Sequence, residues 1–523
     1  MAAIARKNSW SRQRLGDLEQ LSRALTLAAT SSLLGVDLGT SGARAIAIDL
    51  DGKVLHSVTA GYPLETPRPG WTEQDPDKWW DAVQSVLNRV VAQLDAPPSG
   101  LGLTGQMHGS VFLDGSEQVI RPALLWNDQR TARQCEDITQ RVGRQSLIDI
   151  TGNVAVTGFQ APKILWLRDA EPDNYRRVRR VLLPKDFIRL RLTGTYATDA
   201  SDASGTLLLD LRAREWSQQL LDRLEIPREW LPALKEGSEQ AGSLRPEVAS
   251  ALGLPSGLPV AAGGGDNAAG AVGNGVIERG IISSSIGTSG VIFAPDDRPH
   301  VDPQGRVQAF CHAVPGKYHV MGVTLAAGGS FRWWRDVTGG HDYDELTARA
   351  TQAPPGSEGL LFLPYMSGER TPHLDPYARG AFIGLNLRHT AAHLARAVME
   401  GVVFSLKDSL DLVRELGAPI EQIRATGGAA RNRMWRQLQA DIFGAPIHHS
   451  SVDEGPAYGA ALLAGVACGA FSSVADACKR VRLDEEVTQP DPKRHEIYRK
   501  YQVAYKAAYP ATAETMHRLA ELD

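Results

Sequence analysis

Residues 33–49 read LLGVDLGTSGARAIAID, which is an apolar run, a GTSG turn and a second apolar run. Residues 281–293 read IISSSIGTSGVIF and repeat that design, so GTSG occurs at residues 39–42 and again at residues 287–290. Each segment predicts a β-hairpin, because glycines bound a short turn between two strand-like runs. Two copies in corresponding order indicate an internal repeat of one α/β domain, with a ligand-binding cleft between the two domains.

The elements predicted after each hairpin extend the repeat. Residues 75–91 predict an amphipathic helix with Asp75 as its N-cap, and a short strand then ends in TGQ at residues 104–106. In the second half, a predicted helix over residues 393–413 and a strand over residues 422–425 take the corresponding places, and that strand runs into TGG. The halves therefore share a plan, and the second half carries longer insertions.

Length and composition set the domain organisation. The chain of 523 residues is too long for one hydrophobic core, and its 43% hydrophobic and 22% charged residues exclude a largely disordered protein. The first 32 residues are basic, and we interpret them as a loose extension rather than a transit peptide because they also contain Asp17 and Glu19. The predicted segments are an extension at residues 1–32, domains at 33–275 and 276–490, and a C-terminal helical tail at 491–523.

Charge and motifs exclude several classes of function. The 56 basic and 60 acidic residues give a net charge of −4, so no excess of positive charge indicates a nucleic-acid partner. No apolar run approaches the ~18 residues of a membrane span, and no GxxxxGK(S/T) motif is present. The cysteines form no CxxC pair, which excludes a zinc site of that kind and predicts free thiols in the cytoplasm. They are Cys135, Cys311, Cys468 and Cys478.

The two hairpin turns have the chemistry of phosphate sites. Backbone N–H groups and hydroxyls at the end of a strand form concave sites that suit phosphate oxygens. Asp37 lies just before Gly39, where its carboxylate could hold Mg²⁺ directly or through water. Ser285 takes the matching place in the second hairpin, whose turn offers Thr288 and Ser289. The halves are therefore not equivalent, because the first carries an acid and the second offers hydroxyls.

A second acid follows a glycine-rich turn near the join of the two halves. Residues 263–268 read GGGDNA and fit the dinucleotide-binding pattern G-x-G-x-x-A. That pattern also requires an acid about 20 residues further on, and residues 281–289 contain none, which disfavours a dehydrogenase. Asp266 is compatible with two roles: the N-cap of a helix, and a base that takes the proton of an alcohol during phosphoryl transfer.

Polar and aromatic residues cluster after the first TG strand. Residues 106–109 read QMHG, and residues 126–128 read WND. Sugars are bound by planar polar groups beside an aromatic wall, so both segments suit a polyol pocket.

These segments together resemble the FGGY carbohydrate kinases, over residues 33–483 and in the order of that family. Within the family the chain is most similar to members that act on xylulose. The motifs that carry the resemblance are DLGTSGAR (37–44), GQMHG (105–109), LLWNDQR (124–130), APKILW (161–166), LLPKDFIRLRLTG (182–194), SDASGT (201–206), GGGDNAAGAVG (263–273), SIGTSG (285–290), FLPYMSGERTPH (362–373), the segment from GAFIGL to HLARAVMEG (380–401) and TGGAARNRMWRQLQADIFG (426–444).

The resemblance implies an α/β fold of the actin-like, ribonuclease H-like type, with two duplicated domains around a central cleft. It implies sugar binding and the first phosphate hairpin in the first domain, and nucleotide binding in the second. The implied cosubstrate is ATP and the implied cofactor is Mg²⁺. The implied reaction transfers the γ-phosphate to O5 of D-xylulose and gives D-xylulose 5-phosphate.

The resemblance also implies roles for particular residues. Asp266 would be the general base, and Asp37 would orient Mg²⁺ and support catalysis. The residues implied to line the sugar are Met107, His108, Trp126, Asp266 and Asn267. The residues implied to contact the nucleotide are Thr40, Ser41, Arg44, Thr288, Gly328, Gly428 and Asn432. Glycerol kinases carry an Arg-Glu pair where this chain has Met107 and His108, which argues against glycerol.

Three alternatives stay open. A kinase for another ketose or polyol, such as ribulose or gluconate, is disfavoured by the QMHG segment at residues 106–109. A non-catalytic sugar or nucleotide sensor would have no need of a base, so Asp37 and Asp266 argue against it. An actin-like or chaperone-like ATPase would lack a dedicated sugar pocket. For the leading interpretation, the expected partners are the sugar and ATP, with a homodimer as a possible assembly.

Overall fold

The structure is a computed structural model, and it describes residues 31–450, 455–520 and 522. The predicted extension at residues 1–32 lies outside the described residues except for its last two positions. The strands are β1 (Ser32–Leu38), β2 (Gly42–Asp49), β3 (Val54–Gly61), β4 (Glu73–Gln74), β5 (Gly100–Gly105), β6 (Val111–Leu113), β7 (Ala123–Leu124), β8 (Arg180–Leu182), β9 (Ala197–Asp199), β10 (Leu209–Asp210), β11 (Glu215–Trp216), β12 (Ala233–Lys235), β13 (Gln240–Ser243), β14 (Pro259–Ala261), β15 (Gly264–Gly265), β16 (Gly280–Ile286), β17 (Gly290–Asp296), β18 (Gln308–Cys311), β19 (Tyr318–Thr324), β20 (Leu361–Leu363), β21 (Ala381–Ile383), β22 (Ile420–Thr426) and β23 (Ile447–His449).

The α-helices are α1 (Pro76–Val91), α2 (Ala132–Val142), α3 (Arg144–Thr151), α4 (Gln160–Ala170), α5 (Pro172–Arg177), α6 (Pro184–Thr193), α7 (Ala200–Ala203), α8 (Gln218–Leu224), α9 (Pro246–Leu252), α10 (Asp266–Gly273), α11 (Gly328–Val337), α12 (Tyr343–Ala350), α13 (Ala391–Glu415), α14 (Arg433–Phe443), α15 (Gly455–Ala467), α16 (Val474–Cys478) and α17 (Pro492–Ala520). Short 3₁₀ helices cover Ser204–Thr206, Arg228–Trp230, Ser357–Gly359 and Gly428–Arg431. Among the described helices, none is both long and apolar enough to cross a membrane.

Two mixed sheets carry the same strand order. The first contains the path β3-β2-β1-β5-β14, and the second contains the path β19-β17-β16-β22-β23. In each path three antiparallel strands are followed by two parallel ones. Strand β13 extends the first sheet beyond β14, and β18 extends the second beyond β19. The duplicated α/β plan that the two GTSG segments predict is therefore confirmed.

Both predicted hairpins are present, and their registers correspond. Strands β1 and β2 flank the first turn, and β16 and β17 flank the second. Asp37 lies opposite Thr104 of the parallel strand β5, and Ser285 lies opposite Thr426 of the parallel strand β22. The acid of the first hairpin and the serine of the second are therefore in matching places, as their distances from the turn glycines predict.

The helix after each hairpin also follows the prediction. Helix α1 begins where expected, and the carboxylate of Asp75 accepts a hydrogen bond from the backbone N of Asp77 at 2.9 Å. It buries Trp79, Val83 and Leu87 against the core of the first sheet. Its counterpart α13 extends slightly beyond the predicted residues 393–413 at both ends.

Helix α15 comes from the second half of the chain but packs on the first sheet. A Cβ atom added to Gly35 of β1 would lie 1.9 Å from the carbonyl oxygen of Ala457, and one on Gly102 of β5 would lie 1.9 Å from that of Ala460. Only glycine permits this approach of helix and strand backbones. Helix α15 also contacts α10, so it holds the turn that carries Asp266 against the first sheet.

Candidate active site

A cavity of about 300 Å³ lies between the two hairpins and is lined by both halves of the chain. The first half supplies the carboxylates of Asp37 and Asp266 and the guanidinium of Arg44. The second half supplies Ser285 and Thr426, which occupy neighbouring strands of its sheet. The matching strand ends of the two sheets therefore face one space, as the repeat predicts.

Asp37 stands at the carboxyl end of β1 in an environment that favours a cation. Its Oδ1 atom is buried and has no hydrogen-bond partner among the described residues. Burial raises the pKa of its carboxyl to about 7, the charge of Asp266 adds to that rise, and Arg44 opposes it. A buried acceptor without a donor fits a metal or a metal-bound water. The described residues hold no group of three or more His, Cys, Asp or Glu side chains arranged for a metal, so other ligands would have to come from solvent or substrate.

Asp266 is the first residue of α10 and not its N-cap, so that part of the sequence interpretation is wrong. The N-cap position belongs to Gly265, which pairs with β5 as part of β15, and the helix can start only after that pairing ends. The Oδ1 atom of Asp266 instead accepts hydrogen bonds from the backbone N of Asn267 at 2.7 Å and from its Nδ2 at 2.9 Å. Burial raises the pKa of Asp266 to about 6, although both hydrogen bonds oppose the rise.

The glycines before Asp266 have a structural reason that is unrelated to dinucleotides. Gly263 has a φ of +78°, and a Cβ atom there would lie 1.8 Å from the carbonyl oxygen of Leu103. The turn therefore crosses directly over β5, and this crossing brings Asp266 into the cavity. The likeness to G-x-G-x-x-A reflects close backbone packing.

The segment with Met107 and His108 lies beside the turn that carries Asp266. A Cβ atom on Gly265 would lie 2.8 Å from Cγ of Met107, so the methionine fills the space that the glycine leaves. The Nδ1 atom of His108 hydrogen-bonds the carbonyl oxygen of Gly205 at 2.7 Å. Burial lowers the pKa of His108 to about 3, which makes the ring neutral at physiological pH.

Lys163 supports this segment and was not identified from the sequence. Its Nζ atom donates to the carbonyl oxygen of His108 at 2.8 Å and also to that of Gly158. Burial lowers the pKa of Lys163 to about 7. The APKILW motif at residues 161–166 contained the signal, because a lysine on an otherwise buried helix requires a polar role.

Trp126 is tied to the first phosphate hairpin. Its Nε1 atom donates to Oγ1 of Thr40 at 3.0 Å. The Nε2 atom of Gln74 donates to the carbonyl oxygen of Thr40 at 2.7 Å, and Oγ1 of Thr40 lies 3.3 Å from Oε1 of Gln106. Ser41, at the tip of the same turn, is exposed. The sugar segments and the first hairpin therefore form one hydrogen-bonded unit.

A second cavity, of about 670 Å³, opens beside the second hairpin. It is lined by four of the predicted nucleotide residues: Thr288, Gly328, Gly428 and Asn432. A Cβ atom on Gly428 would meet nothing within 4 Å, so this glycine leaves open space. The Oδ1 atom of Asn432 accepts from the backbone N of Met434 at 3.0 Å and caps α14.

Sequence reasoning missed the aromatic wall of the second cavity. Phe331 and Trp435 meet edge to face with ring centroids 5.6 Å apart, and Tyr343 stacks on Phe331 at 6.0 Å. All three rings line the cavity and offer an apolar surface to a planar ligand. The sequence contained no signal for this wall, because the three rings come from three separate helices.

Arg431 lines both cavities. The signal for this residue in the sequence was the GGAAR loop.

The structure does not bring every predicted residue to the walls of these two cavities. Arg44 and Asn267 line the smaller cavity together with the two acids. Five predicted site residues, all within the described part of the chain, lie outside the lining of both cavities. They are Thr40, Ser41, Met107, His108 and Trp126.

Comparisons with known proteins cover nearly the whole described fold. The xylulose kinase of Escherichia coli (strain K12) is 42% identical over 478 residues, which is 91% of this chain and 98% of that protein. The ligand-bound xylulose kinase of Lactobacillus acidophilus superimposes with a TM-score of 0.89 at 30% identity, and the match covers 94% of this chain and 100% of that one. A xyloylose kinase from Brucella ovis gives a TM-score of 0.86 at 37% identity, over 94% of this chain and 100% of that one.

These structures share the two-domain, actin-like and ribonuclease H-like architecture, so the predicted fold class is confirmed. Residues 32–273 match the N-terminal domain of the FGGY family of carbohydrate kinases. Residues 282–468 match the C-terminal domain of the same family. The chain therefore belongs to the FGGY family of carbohydrate kinases.

Proposed function

We propose that this chain is a xylulokinase, which transfers the γ-phosphate of ATP to O5 of D-xylulose and produces D-xylulose 5-phosphate and ADP. The observation that carries the proposal is the pair of half-buried acids, Asp37 and Asp266, in one cavity that both halves line. The similarity to xylulose kinases supports the choice of sugar. A non-catalytic sensor is disfavoured, because it would have no use for a base beside a phosphate hairpin.

Asp266 is proposed as the general base. As O5 attacks, the O5–H proton passes to the carboxylate of Asp266 while the bond from O5 to the γ-phosphorus forms. The bond between that phosphorus and the bridging oxygen breaks, and ADP leaves. Burial sets the pKa of Asp266 at about 6, so the carboxylate is ionised at neutral pH and still basic enough to accept a proton.

Asp37 is proposed as the residue that orients Mg²⁺. Its partnerless buried Oδ1 atom fits a cation or a cation-bound water. When bound, Mg²⁺ neutralises charge on the transferred phosphate. Arg44 lies opposite Asp37 across β1 and β2 and lines the same cavity, where its guanidinium would add to that neutralisation.

The larger cavity is proposed as the nucleotide site. The open space over Gly428 would admit the ribose or base against the backbone, and the rings of Phe331 and Trp435 would face the adenine. Gly328 and Asn432 would line the same site. The residues proposed to contact phosphates are Thr40, Ser41, Arg44 and Thr288. The residues proposed to line the sugar are Met107, His108, Trp126 and Asn267.

The proposal also covers the domain boundaries, the cellular location and the assembly of the protein. We place the domain boundary near residue 275, with domains at 33–275 and 276–490 and a tail at 491–523. The four described cysteines are all free thiols, which supports a reducing, cytoplasmic location. We also propose a homodimer, and sedimentation velocity tests that assembly.

The decisive experiment is an ATP-coupled assay over a panel of sugars and polyols. We expect turnover of D-xylulose well above that of ribulose, gluconate and glycerol. Good turnover of another sugar with none of D-xylulose would overturn the choice of substrate, and ATP hydrolysis insensitive to every sugar would overturn the kinase itself. Chelation of Mg²⁺ should abolish transfer and added Mg²⁺ should restore it. The substitution Asp37→Asn should raise the Mg²⁺ concentration required and lower the maximal rate.

A further inference from the structure

Arg370 belongs to the second half of the chain, but its guanidinium lies against the first half. The residue lies in the loop between β20 and β21, within the GERTPH segment at residues 368–373. Its Nη2 atom is 3.4 Å from the position that a Cβ atom would occupy on Gly158. Its charge also acts on His108 and Lys163, and it lowers the pKa of both. Arg370 is therefore a cation that crosses between the two halves.

The guanidinium of Arg370 has no hydrogen bond and no ion pair to any residue that the structure describes. In the neighbouring Glu369, Oε1 accepts from the backbone N of Leu325 at 3.0 Å and from that of Arg370 at 2.7 Å, and Oε2 is buried without a hydrogen-bond partner among the described residues. Arg130 shows the usual arrangement, with Asp128 at 2.7 Å and Glu73 at 2.6 Å. A half-buried guanidinium without acceptors is unfavourable, so a ligand that supplies acceptors would be stabilised there.

The surroundings of Arg370 are the segments already proposed for the sugar. A Cβ atom on Gly158 would also lie 2.5 Å from the carbonyl oxygen of Trp126, so the glycine lets three chain segments meet. Lys163 joins the same segments through the carbonyl oxygens of His108 and Gly158. The free donors of Arg370 thus lie beside Gly158 and the backbone of Trp126, and close enough to His108 to act on its pKa.

The loop that carries Arg370 is fixed to the strand that leads to the nucleotide cavity. The backbone N of Thr371 donates to the carbonyl oxygen of Val323 at 3.0 Å, and the backbone N of Val323 donates to Oγ1 of Thr371 at 3.0 Å. Strand β19, which contains Val323, runs into the turn before Gly328 at the nucleotide cavity. A ligand held by Arg370 would therefore connect the first half to the strand that leads to the nucleotide.

We propose that Arg370 is a sugar-binding, specificity-determining residue that donates hydrogen bonds from the second half of the chain to a hydroxyl or keto oxygen of the polyol. This inference rests on the proposed sugar-kinase function. It assigns a direct substrate contact to the GERTPH segment, for which the sequence analysis gave no role. A planar fork of donors suits two adjacent oxygens of an open-chain ketose.

The test compares Arg370→Met with Arg379→Met in the full chain. Arg379 lies in the same loop, and its guanidinium donates only to the nearby carbonyl oxygens of Pro376 and Ala378. Loss of a hydrogen bond from a charged group corresponds to about a tenfold to hundredfold loss of affinity. We expect Arg370→Met to raise the KM and calorimetric Kd for D-xylulose by that factor, with the KM for ATP within about twofold. The Arg379→Met variant should match the wild type in its KM and Kd for D-xylulose and in its KM for ATP.

Three outcomes would overturn the role of Arg370. They are a KM for sugar within about twofold of the wild type, a parallel rise in both KM values, and an equal effect of Arg379→Met. If the methionine variant is insoluble, Arg370→Lys keeps the charge but loses the fork, and it should give an intermediate KM. An unchanged sugar KM in that variant would equally count against the proposal.

Sugar analogues that each lack one hydroxyl separate this inference from the proposed function. In the wild type, an analogue that lacks a contacted hydroxyl should have a higher KM than D-xylulose. In Arg370→Met, this rise in KM should vanish for the analogue that lacks the oxygen that Arg370 contacts. If every analogue raised KM by the same factor in Arg370→Met as in the wild type, Arg370 would contact no sugar oxygen. Failure of the wild type to phosphorylate D-xylulose would instead refute the proposed substrate, and the comparison would then use the best substrate of the panel.

Discussion

Asp37 and Asp266 line the same cavity, and the negative charge of Asp266 is one reason why the pKa of Asp37 rises to about 7. Two carboxylates that share a poorly solvated space disfavour each other's ionised form. Strands β1 and β15 both flank β5, so the fold itself imposes this proximity. A cation in the cavity would relieve the repulsion, which is why the arrangement suits a metal-assisted phosphoryl transfer.

The first prediction concerns the pH dependence of catalysis. Asp266 must be ionised to accept a proton, and burial has raised its pKa to about 6. The value of kcat/KM should therefore fall as the pH drops through about 6, and protonation of Asp37, whose pKa is about 7, should add to that fall where Mg²⁺ does not hold its carboxylate ionised. Steady-state rates with saturating Mg²⁺ across that range measure this. A rate that stayed constant down to about pH 4.5 would exclude a base with this pKa.

The second prediction is that Asp266→Asn stabilises the fold while it abolishes activity. The folded-state pKa of about 6 lies above the ordinary value of 3.8, so the folded protein holds this proton more tightly than the unfolded chain. Its contribution to stability is therefore present at low pH and is lost as the pH rises through about 6. Replacement by a neutral amide should remove a cost of about 1–3 kcal/mol at alkaline pH.

Thermal unfolding at about pH 8 and about pH 4 checks this second prediction. Asp266→Asn should unfold at a higher temperature than the wild type at the higher pH, with a smaller difference at the lower one. Activity should fall by roughly 10²–10⁴-fold while ATP binding persists. The control is Asp81→Asn, because Asp81 is exposed on α1 and its pair with Lys78 is 4.0 Å long. An active Asp266→Asn enzyme would refute the assignment of the base.

Local sequence patterns were sufficient to predict the repeated framework. The two GTSG turns, the N-cap Asp75 and the matching places of Asp37 and Ser285 are all set by residues close together in the chain. The sequence placed Asp37 in the first hairpin and Asp266 near the join of the halves, and the structure brings both acids to one cavity.

Contacts between distant segments could not be predicted in the same way. The packing of α15 on β1 and β5 depends on glycines that look like ordinary small residues in the sequence. Asp266 was expected to cap α10, but the pairing of Gly265 with β5 delays the helix start. The position of Arg370 against Gly158 depends on how two halves of the chain meet. No local pattern reports such a meeting.

The third prediction separates the two glycines of the TGG loop. Gly428→Ala should fold normally, because a Cβ atom there meets nothing within 4 Å, but the methyl group would project into the proposed nucleotide site. We expect the KM for ATP to rise about threefold to tenfold with little change in the KM for sugar. Gly427→Ala should instead destabilise the protein, because Gly427 has a φ of +77° and its Cβ atom would lie 2.7 Å from the carbonyl oxygen of Ile286.

Melting temperature and both KM values are measured for each glycine variant. The matched control is Gly115→Ala, since Gly115 is exposed and its nearest neighbour to an added Cβ atom is the side chain of Arg179 at 3.8 Å. That variant should leave the melting temperature and both KM values unchanged. If Gly428→Ala bound ATP as tightly as the wild type, the nucleotide would have to lie elsewhere in the cavity.

The last prediction concerns the hydrogen bond from Nε1 of Trp126 to Oγ1 of Thr40, which is 3.0 Å long. It joins the proposed sugar wall to the first phosphate hairpin, so its loss should misplace the sugar relative to the phosphate more than it weakens the binding of either. Trp126→Phe and Thr40→Val should each lower kcat by about threefold to thirtyfold. Thr40→Val also removes the 3.3 Å hydrogen bond to Oε1 of Gln106, so it should be the poorer single variant. The double variant should be little worse than Thr40→Val, because that variant has already lost the bond to Trp126. Additive losses in kcat would show that the two residues act independently.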